Sequence, residues 1–137
     1  MMGVNWWSIL VAALAAMAIG AFWYGPLFGQ QWMRAMGWDP SDKAKMEAMK
    51  KGVGMSYFWQ FIASLVMAYV LAVFIMKLGL VGFMGGVNVA FWAWVGFILT
   101  IKFGDSLWGG KKDLFWISSG NMLLTMLVMG AVLGSWR

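Results

Sequence analysis

Charged residues are absent from four long stretches of this 137-residue chain, namely 1–33, 52–76, 78–101 and 114–136. Each stretch exceeds the ~20 residues that an α-helix needs to cross ~30 Å of hydrocarbon. Soluble domains carry roughly 25% charged residues, whereas this chain carries 11%. The pattern predicts an all-α polytopic membrane protein with four transmembrane helices. It excludes a soluble domain, a nucleic-acid-binding protein and a secreted disulfide scaffold.

The residue types that the chain lacks restrict its chemistry. It contains no cysteine and no histidine, which removes thiolate nucleophiles, the commonest general base and the usual haem and zinc ligands. None of its five acidic residues falls inside an uncharged stretch. Ser118 and Ser119 have no histidine to activate them, and Lys102 is best explained as snorkelling to the interface. We therefore expect no catalytic residue, no metal, no cofactor and no enzymatic activity.

The four predicted spans form a single domain over residues 1–137, and they cover about 4–28, 55–76, 82–103 and 114–133. Between the first two, Asp39 is suited to cap a helix and Pro40 to occupy its first position. We expect a short helix over 40–51 that rests on the inner membrane surface. A docking helix for a partner is the alternative interpretation of this segment.

The basic residues predict one orientation of the chain in the membrane. Eight of the ten Lys and Arg residues lie between spans one and two or around the connection of spans three and four. The opposite side holds only Lys77 and Arg137. Because cytoplasmic loops are enriched in Lys and Arg, both longer loops should lie in the cytoplasm and both termini outside it. We expect the protein in a bacterial cytoplasmic (inner) membrane.

Short similarities suggest an internal repeat. The segment 25–29 near the end of span one resembles 104–109 near the end of span three. The pair Phe58-Trp59 likewise resembles Phe115-Trp116, a register that aligns Ser64 with Asn121. The two halves would be helical hairpins of the same orientation, a parallel repeat. Chance similarity between apolar segments is the competing explanation.

Small residues recur at four-residue spacing in every predicted span. Because lipid tails are as apolar as leucine, membrane helices associate where small residues allow close approach. The predicted packing positions are Ala12, Ala16 and Gly20 in span one, Ser64, Ala68 and Ala72 in span two, Gly82, Gly86 and Ala90 in span three, and Gly130 and Gly134 in span four. They predict a tightly packed bundle, and some of them could instead mediate self-association.

Polar residues inside the spans are the candidates for a functional site, since polar groups are costly in hydrocarbon. Counted from the cytoplasmic ends, five lie at similar depth and are expected to form one polar layer: Gln60, Ser64, Ser118, Ser119 and Asn121. Interhelical hydrogen bonding is the structural explanation of this layer, and a solute-binding site is the functional one. Asp105, at the end of span three, is the candidate interfacial acid for handling a cation or proton.

The chain resembles a known family in two parts of its sequence. The more specific part is Trp23-Tyr24-Gly25-Pro26-Leu27-Phe28-Gly29 with Trp32-Met33, and the second is Leu107-Trp108-Gly109-Gly110-Lys111 with Asn121. These segments are similar to the bacterial membrane proteins of the domain of unknown function 1761 family. The resemblance implies a four-span membrane protein of about this length. It implies no activity and transfers no catalytic residue.

Two hypotheses of function remain open from the sequence. The first is a packing or interaction protein that forms a homo-oligomer or joins a membrane complex, with the lipid bilayer as its environment. Its support is the set of small-residue stripes and the abundance of Trp and Met. The alternative is an oligomeric transporter or channel for a small solute. Proton coupling is disfavoured because no acidic residue lies within a span.

Overall fold

The computed structural model describes residues 5–27, 29, 31, 33, 43–44, 47, 53–80, 82–109 and 112–136. Over these residues the chain is helical and contains no strand, which confirms the predicted all-α fold with four helices. Three of the helical segments are long and apolar enough to cross a membrane, and the first, Trp6–Phe22, is a shorter apolar helix. The predicted loop helix 40–51 lies mostly outside the described residues.

The helices follow one another in the order that the uncharged stretches predict. Their bounds are α1 Trp6–Phe22, α2 Val53–Leu78, α3 Gly82–Ala93, α4 Thr100–Gly109 and α5 Lys112–Ser135. A π-helical segment, Trp23–Leu27, continues α1, and a second, Trp94–Leu99, joins α3 to α4 into one long helix. The third helix therefore ends at Gly109, six residues beyond the predicted end of span three.

Local capping fixes the start of α1 and the turn between α2 and α3. The Asn5 side chain accepts a hydrogen bond from the Trp7 N–H at 3.0 Å, which satisfies one of the donors that a helix start leaves free. Gly79 and Gly82 have φ of +70° and +87°. Only glycine adopts such angles readily, so these two residues allow α2 to end and α3 to begin within a few residues.

Helix α5 is the most deeply buried element of the bundle and contacts α1, α2 and α3. In its apolar 18-residue stretch, 50% of the residues are buried, against 22% in the corresponding stretch of α2 and 17% in that of the α3–α4 helix. The other helices therefore present most of their surface outward, as expected for helices that face lipid. The core contains Ile9, Ala12, Ala16, Ala68, Leu71, Ile75, Val89, Ala90, Met126, Met129 and Leu133.

Glycines bring α3 and α5 into direct backbone contact. A methyl group at Gly86 would collide with the Gly130 carbonyl oxygen, and one at Gly134 would lie 2.9 Å from the Gly86 Cα atom. A methyl group at Gly130 would lie 2.7 Å from the Ala90 Cβ atom. These distances leave no room for any side chain. The pairing of Gly86 with Gly130 and of Gly82 with Gly134 also shows that the two helices run antiparallel.

The remaining predicted packing residues fall into two groups. Ala12, Ala16, Ser64 and Ala68 are buried between helices. Gly20 has no atom within 4 Å of where a methyl group would stand, and Ala72 is only half-buried. The small-residue stripes thus serve mainly contacts within this chain.

The two segments aligned by the proposed repeat differ in backbone conformation. Gly25 lies in the π-helical segment Trp23–Leu27, whereas Gly104 lies in the regular helix α4. Ser64 and Asn121, which the repeat also aligns, are both buried. The parallel repeat remains a prediction.

We predict that Gly86→Ala destabilises the protein, whereas Gly104→Ala does not. The added methyl group at position 86 forces α3 away from α5, and overpacking of this kind costs about 1–3 kcal/mol. At Gly104 nothing lies within 4 Å of the new group, and alanine favours a helix over glycine by up to about 1 kcal/mol. Thermal unfolding of both variants in one detergent measures the difference. Equal midpoints would show that the helices do not approach as described.

Candidate functional site

A cavity of about 520 Å³ lies between α1, α2 and α5, with one residue of α4 at its edge. Lining residues of α1, α2 and α5 recur every three or four positions, a spacing that keeps them on one broad face of each helix. They are Ala16, Met17, Gly20, Ala21 and Tyr24 from α1 and its π-helical extension, Tyr57, Gln60, Ser64 and Met67 from α2, Lys102 from α4, and Ser118, Asn121, Met122 and Thr125 from α5. The cavity lies toward the end of the bundle that holds Lys102, which we call the Lys102 end.

Small residues on α1 make room for the cavity. Gly20 has no side chain, and no heavy atom lies within 4 Å of the position where one would begin. Ala16 and Ala21 have short side chains and also line the cavity. Glycine therefore has opposite effects in this fold: at Gly86 it allows contact between backbones, and at Gly20 it leaves space.

Asn121 lines the cavity with part of its side chain unpaired. Phe103 packs against Phe115 at the Lys102 end, with ring centroids 6.1 Å apart. Asn121 follows Phe115 by six residues, which places it about 9 Å deeper along α5. It is 8% exposed, and its Nδ2 atom reaches only the Met122 Sδ atom, at 4.0 Å. Its Oδ1 atom has no hydrogen-bond partner among the residues that the structure describes.

This unpaired oxygen is costly unless something else bonds to it. A buried acceptor without a partner costs about 1–3 kcal/mol, and most buried polar atoms in proteins are therefore paired. Asn121 lines the cavity, so its buried Oδ1 atom is an unmet acceptor at the cavity wall.

Exposed polar residues of the lining mark what we call the mouth of the cavity. Tyr57 is 54% exposed, Gln60 is also exposed, and Lys102 is half-buried. The Tyr24 Oη and Ser118 Oγ atoms lie 3.3 Å apart and connect α1 with α5. The lining thus contains hydroxyl, amide and ammonium groups, and among the described residues it contains no carboxylic acid. These groups can bind and orient a polar molecule.

The structure brings together four of the five residues in the predicted polar layer. Gln60, Ser64, Ser118 and Asn121 line the same cavity, but Ser119 does not. Ser119 lies about 60° beyond Met122, at the edge of the α5 face that lines the cavity, so it turns away from the cavity. Its hydroxyl is buried without a partner among the described residues.

Asp105, the candidate interfacial acid, lies apart from the cavity. Its side chain is exposed on α4, and it makes no ion pair with any residue that the structure describes. Within the same part of the chain, no group of three or more acidic residues could hold a metal ion.

Sequence reasoning missed Tyr57, Lys102 and Thr125 as members of this site. Thr125 follows Asn121 by four residues, and Tyr57 precedes Gln60 by three. These spacings place each on the helix face of a residue already selected. A search for polar residues one helical turn from each predicted site residue would have found Thr125 and Tyr57. No such signal pointed to Lys102, because a lysine at the end of a span fits the membrane interface as well as it fits a cavity.

Two tryptophans hold α5 from opposite sides at the cavity end of the bundle. The Trp23 Nε1–H donates to the Ile117 carbonyl oxygen at 2.9 Å, and the Trp94 Nε1–H donates to the Ser119 carbonyl oxygen at 3.1 Å. Residues two positions apart in a helix lie about 200° apart around its axis, so the two rings reach opposite sides of α5. Each tryptophan begins a π-helical segment. Such segments are rare and occur often near functional sites.

Both π-helical segments contain a feature that disturbs regular helical hydrogen bonding. The first contains Pro26, which has no backbone N–H to donate. In the second, the Gly96 carbonyl oxygen accepts a hydrogen bond from the Thr100 Oγ1 atom at 2.9 Å, and such side-chain bonds often bend helices.

A comparison with known families identifies the family of this chain. The family described as "Protein of unknown function (DUF1761)" matches residues 7–134. This chain belongs to the DUF1761 family. The match covers all four helices and confirms the resemblance carried by the segment around Trp23. No curated protein and no solved structure matches the chain. The DUF1761 description gives no activity, so a proposal about function depends on the cavity itself.

We predict that Trp94→Phe lowers the stability of the protein more than Trp92→Phe. The first change removes the hydrogen bond to the Ser119 carbonyl, and a typical bond of this kind contributes about 0.5–1.5 kcal/mol. Trp92 is 64% exposed and serves as the matched control on the same helix. Thermal unfolding in detergent measures both changes. A larger loss for Trp92→Phe would contradict the role assigned to Trp94.

Proposed function

We propose that this DUF1761 protein is an integral membrane protein that binds a small polar solute in the cavity between α1, α2 and α5. The observation that carries the proposal is the buried, unpaired Oδ1 atom of Asn121, a residue that lines a cavity of about 520 Å³. Ligand pockets in proteins combine an apolar lining with a few placed polar groups. Here Met17, Met67 and Met122 supply apolar surface, and the polar groups described above supply the rest.

Packing alone explains less of the structure than solute binding does. The sequence hypothesis of a packing or oligomer-forming protein depended on the small-residue stripes. Most of those stripes are buried within this chain, notably Gly86 and Gly130, so they supply little surface for a second copy. An interaction role also gives no reason for an unpaired acceptor beside a cavity.

Binding from one side is favoured over an open channel. Beyond the cavity, Ala68, Met126 and Met129 are almost completely buried and belong to the core. A solute that enters at the Lys102 end therefore meets packed side chains before it reaches the other end. Transport would require a rearrangement of these helices or a second copy of the chain, and we propose transport by an oligomer as the wider role of the binding site.

The proposed location is a bacterial cytoplasmic (inner) membrane with both termini outside the cytoplasm. The support is the placement of eight of the ten basic residues on one side, together with the enrichment of such residues in cytoplasmic loops. Lys102 belongs to that side. In this orientation the mouth of the cavity faces the cytoplasm, and the solute is drawn from there.

We predict that Gly20→Leu blocks the cavity without unfolding the protein. The leucine side chain enters open space, because nothing lies within 4 Å of its first atom. Three six-carbon probes that share one hydroxyl end serve as test solutes: 6-hydroxyhexanoate, 1,6-hexanediol and 6-amino-1-hexanol. A solute that binds the folded protein raises its unfolding temperature. We expect at least one probe to stabilise the natural protein and to lose at least about tenfold in affinity in Gly20→Leu.

The matched control for this experiment is Gly104→Leu, which also adds a side chain where nothing lies within 4 Å but lies outside the cavity. It should bind the probes as the natural protein does. If no probe stabilises the natural protein, or if Gly20→Leu and Gly104→Leu respond alike, the proposed binding site is wrong.

A further inference from the structure

We infer that the solute is a small organic anion with an aliphatic body and a hydrogen-bond donor at its far end. This inference rests on the proposed function and names the chemical class of its ligand. It depends on three features of the cavity: an ammonium group near the mouth, thioethers along the wall and an acceptor at depth. The inference depends mainly on the presence of Lys102 and Asn121 in the lining of one cavity.

Lys102 provides the positive charge. It is half-buried on α4 and lines the cavity. Asp105, on the same helix, is exposed, and no residue within the described part of the chain forms an ion pair with Lys102. An ammonium near the low-dielectric interior gains much more from a neighbouring anion than one in water. The cavity therefore favours an anionic group at its mouth over a neutral or cationic one.

Asn121 sets the requirement at the other end of the ligand. Its Oδ1 atom only accepts hydrogen bonds, so the group that satisfies it must be a donor. A hydroxyl or an amide N–H fits this position. A second ammonium does not, because no lining residue in the described part of the chain carries a carboxylate to balance its charge.

The wall between these two groups is apolar and adaptable. Met17, Met67 and Met122 come from three different helices, and methionine fills irregular space because its side chain is flexible and polarisable. Asn121 lies about 9 Å deeper than the level of Phe115, a length that a chain of about six carbons spans. The same chemistry exists in water-soluble hydroxy acids and in anionic lipid headgroups that carry hydroxyls.

The first test compares the three probes on the purified full-length protein in a mild detergent. We expect the affinity to fall from 6-hydroxyhexanoate to 1,6-hexanediol and further to 6-amino-1-hexanol. Lys102→Met should weaken binding of 6-hydroxyhexanoate at least about tenfold and leave 1,6-hexanediol almost unchanged. The control is Lys77→Met, which removes an exposed lysine at the opposite end of the bundle and should alter neither affinity.

The second test addresses the donor group. The natural protein should bind 6-hydroxyhexanoate about tenfold more tightly than hexanoate, which lacks the hydroxyl, since an unpaired buried acceptor is left in the hexanoate complex. Asn121→Leu should remove this preference. The variant should unfold at the same temperature as the natural protein without ligand or at a higher one, because it no longer buries an unpaired oxygen. This measurement separates loss of binding from loss of folding.

The outcomes distinguish this inference from the proposed function. If 1,6-hexanediol binds as tightly as 6-hydroxyhexanoate, or if Lys102→Met behaves like Lys77→Met, the ligand is not an anion. The binding of a solute in the cavity would still stand. A hexanoate affinity equal to that of 6-hydroxyhexanoate overturns the donor requirement. If Gly20→Leu alters no probe, the binding site itself fails.

A further arm identifies the source of the anion. The protein is placed in nanodiscs of neutral lipid or of phosphatidylglycerol, and binding of 6-hydroxyhexanoate is measured in both. Weaker binding in phosphatidylglycerol shows that the lipid headgroup competes with the probe for the cavity. Equal binding shows that the natural ligand is a water-soluble anion. Both results support an anionic ligand, whereas tighter binding of 6-amino-1-hexanol than of 6-hydroxyhexanoate in either nanodisc would contradict one.

Discussion

The backbone contact between α3 and α5 at Gly86 and Gly130 is the interaction on which the rest of the bundle depends. Hydrocarbon gives membrane helices no hydrophobic reason to associate, so close packing must hold them together. This contact draws α5 into the centre, where it also meets α1 and α2. At the Lys102 end, the indole rings of Trp23 and Trp94 bond to α5. Glycine contacts at one end and large side chains at the other leave the bundle tight at one end and open at the other.

Much of the fold follows from the sequence because the bilayer permits few alternatives. Backbone groups in hydrocarbon must be paired within the chain, so an uncharged stretch of sufficient length forms a helix. The four helices and the close packing at Gly130 and Gly134 follow from this and from four-residue spacing. The π-helical segments do not, because the Thr100 bond to the Gly96 carbonyl depends on local geometry that no spacing records.

The cavity was only partly predictable, for a related reason. Depth along a helix can be counted from the sequence, which brought Gln60, Ser64, Ser118 and Asn121 to one level. Which side of the helix faces the interior depends on how the helices pack. For this reason the predicted polar layer included Ser119, which does not line the cavity. Gly20, assigned to packing by its spacing, instead borders the open space.

The central claim is that the Lys102 end of the bundle contains a cavity with a few polar groups, open to one side of the membrane. The chain has no cysteine, so single cysteines at Ser118 and Ser119 give matched probes of nearly natural size. A membrane-impermeant thiol reagent is applied to right-side-out and inverted membrane vesicles. The account predicts that Ser118→Cys reacts in inverted vesicles only, and that Ser119→Cys reacts in neither. Equal reaction of the two variants, or reaction of Ser118→Cys from the outside, would contradict it.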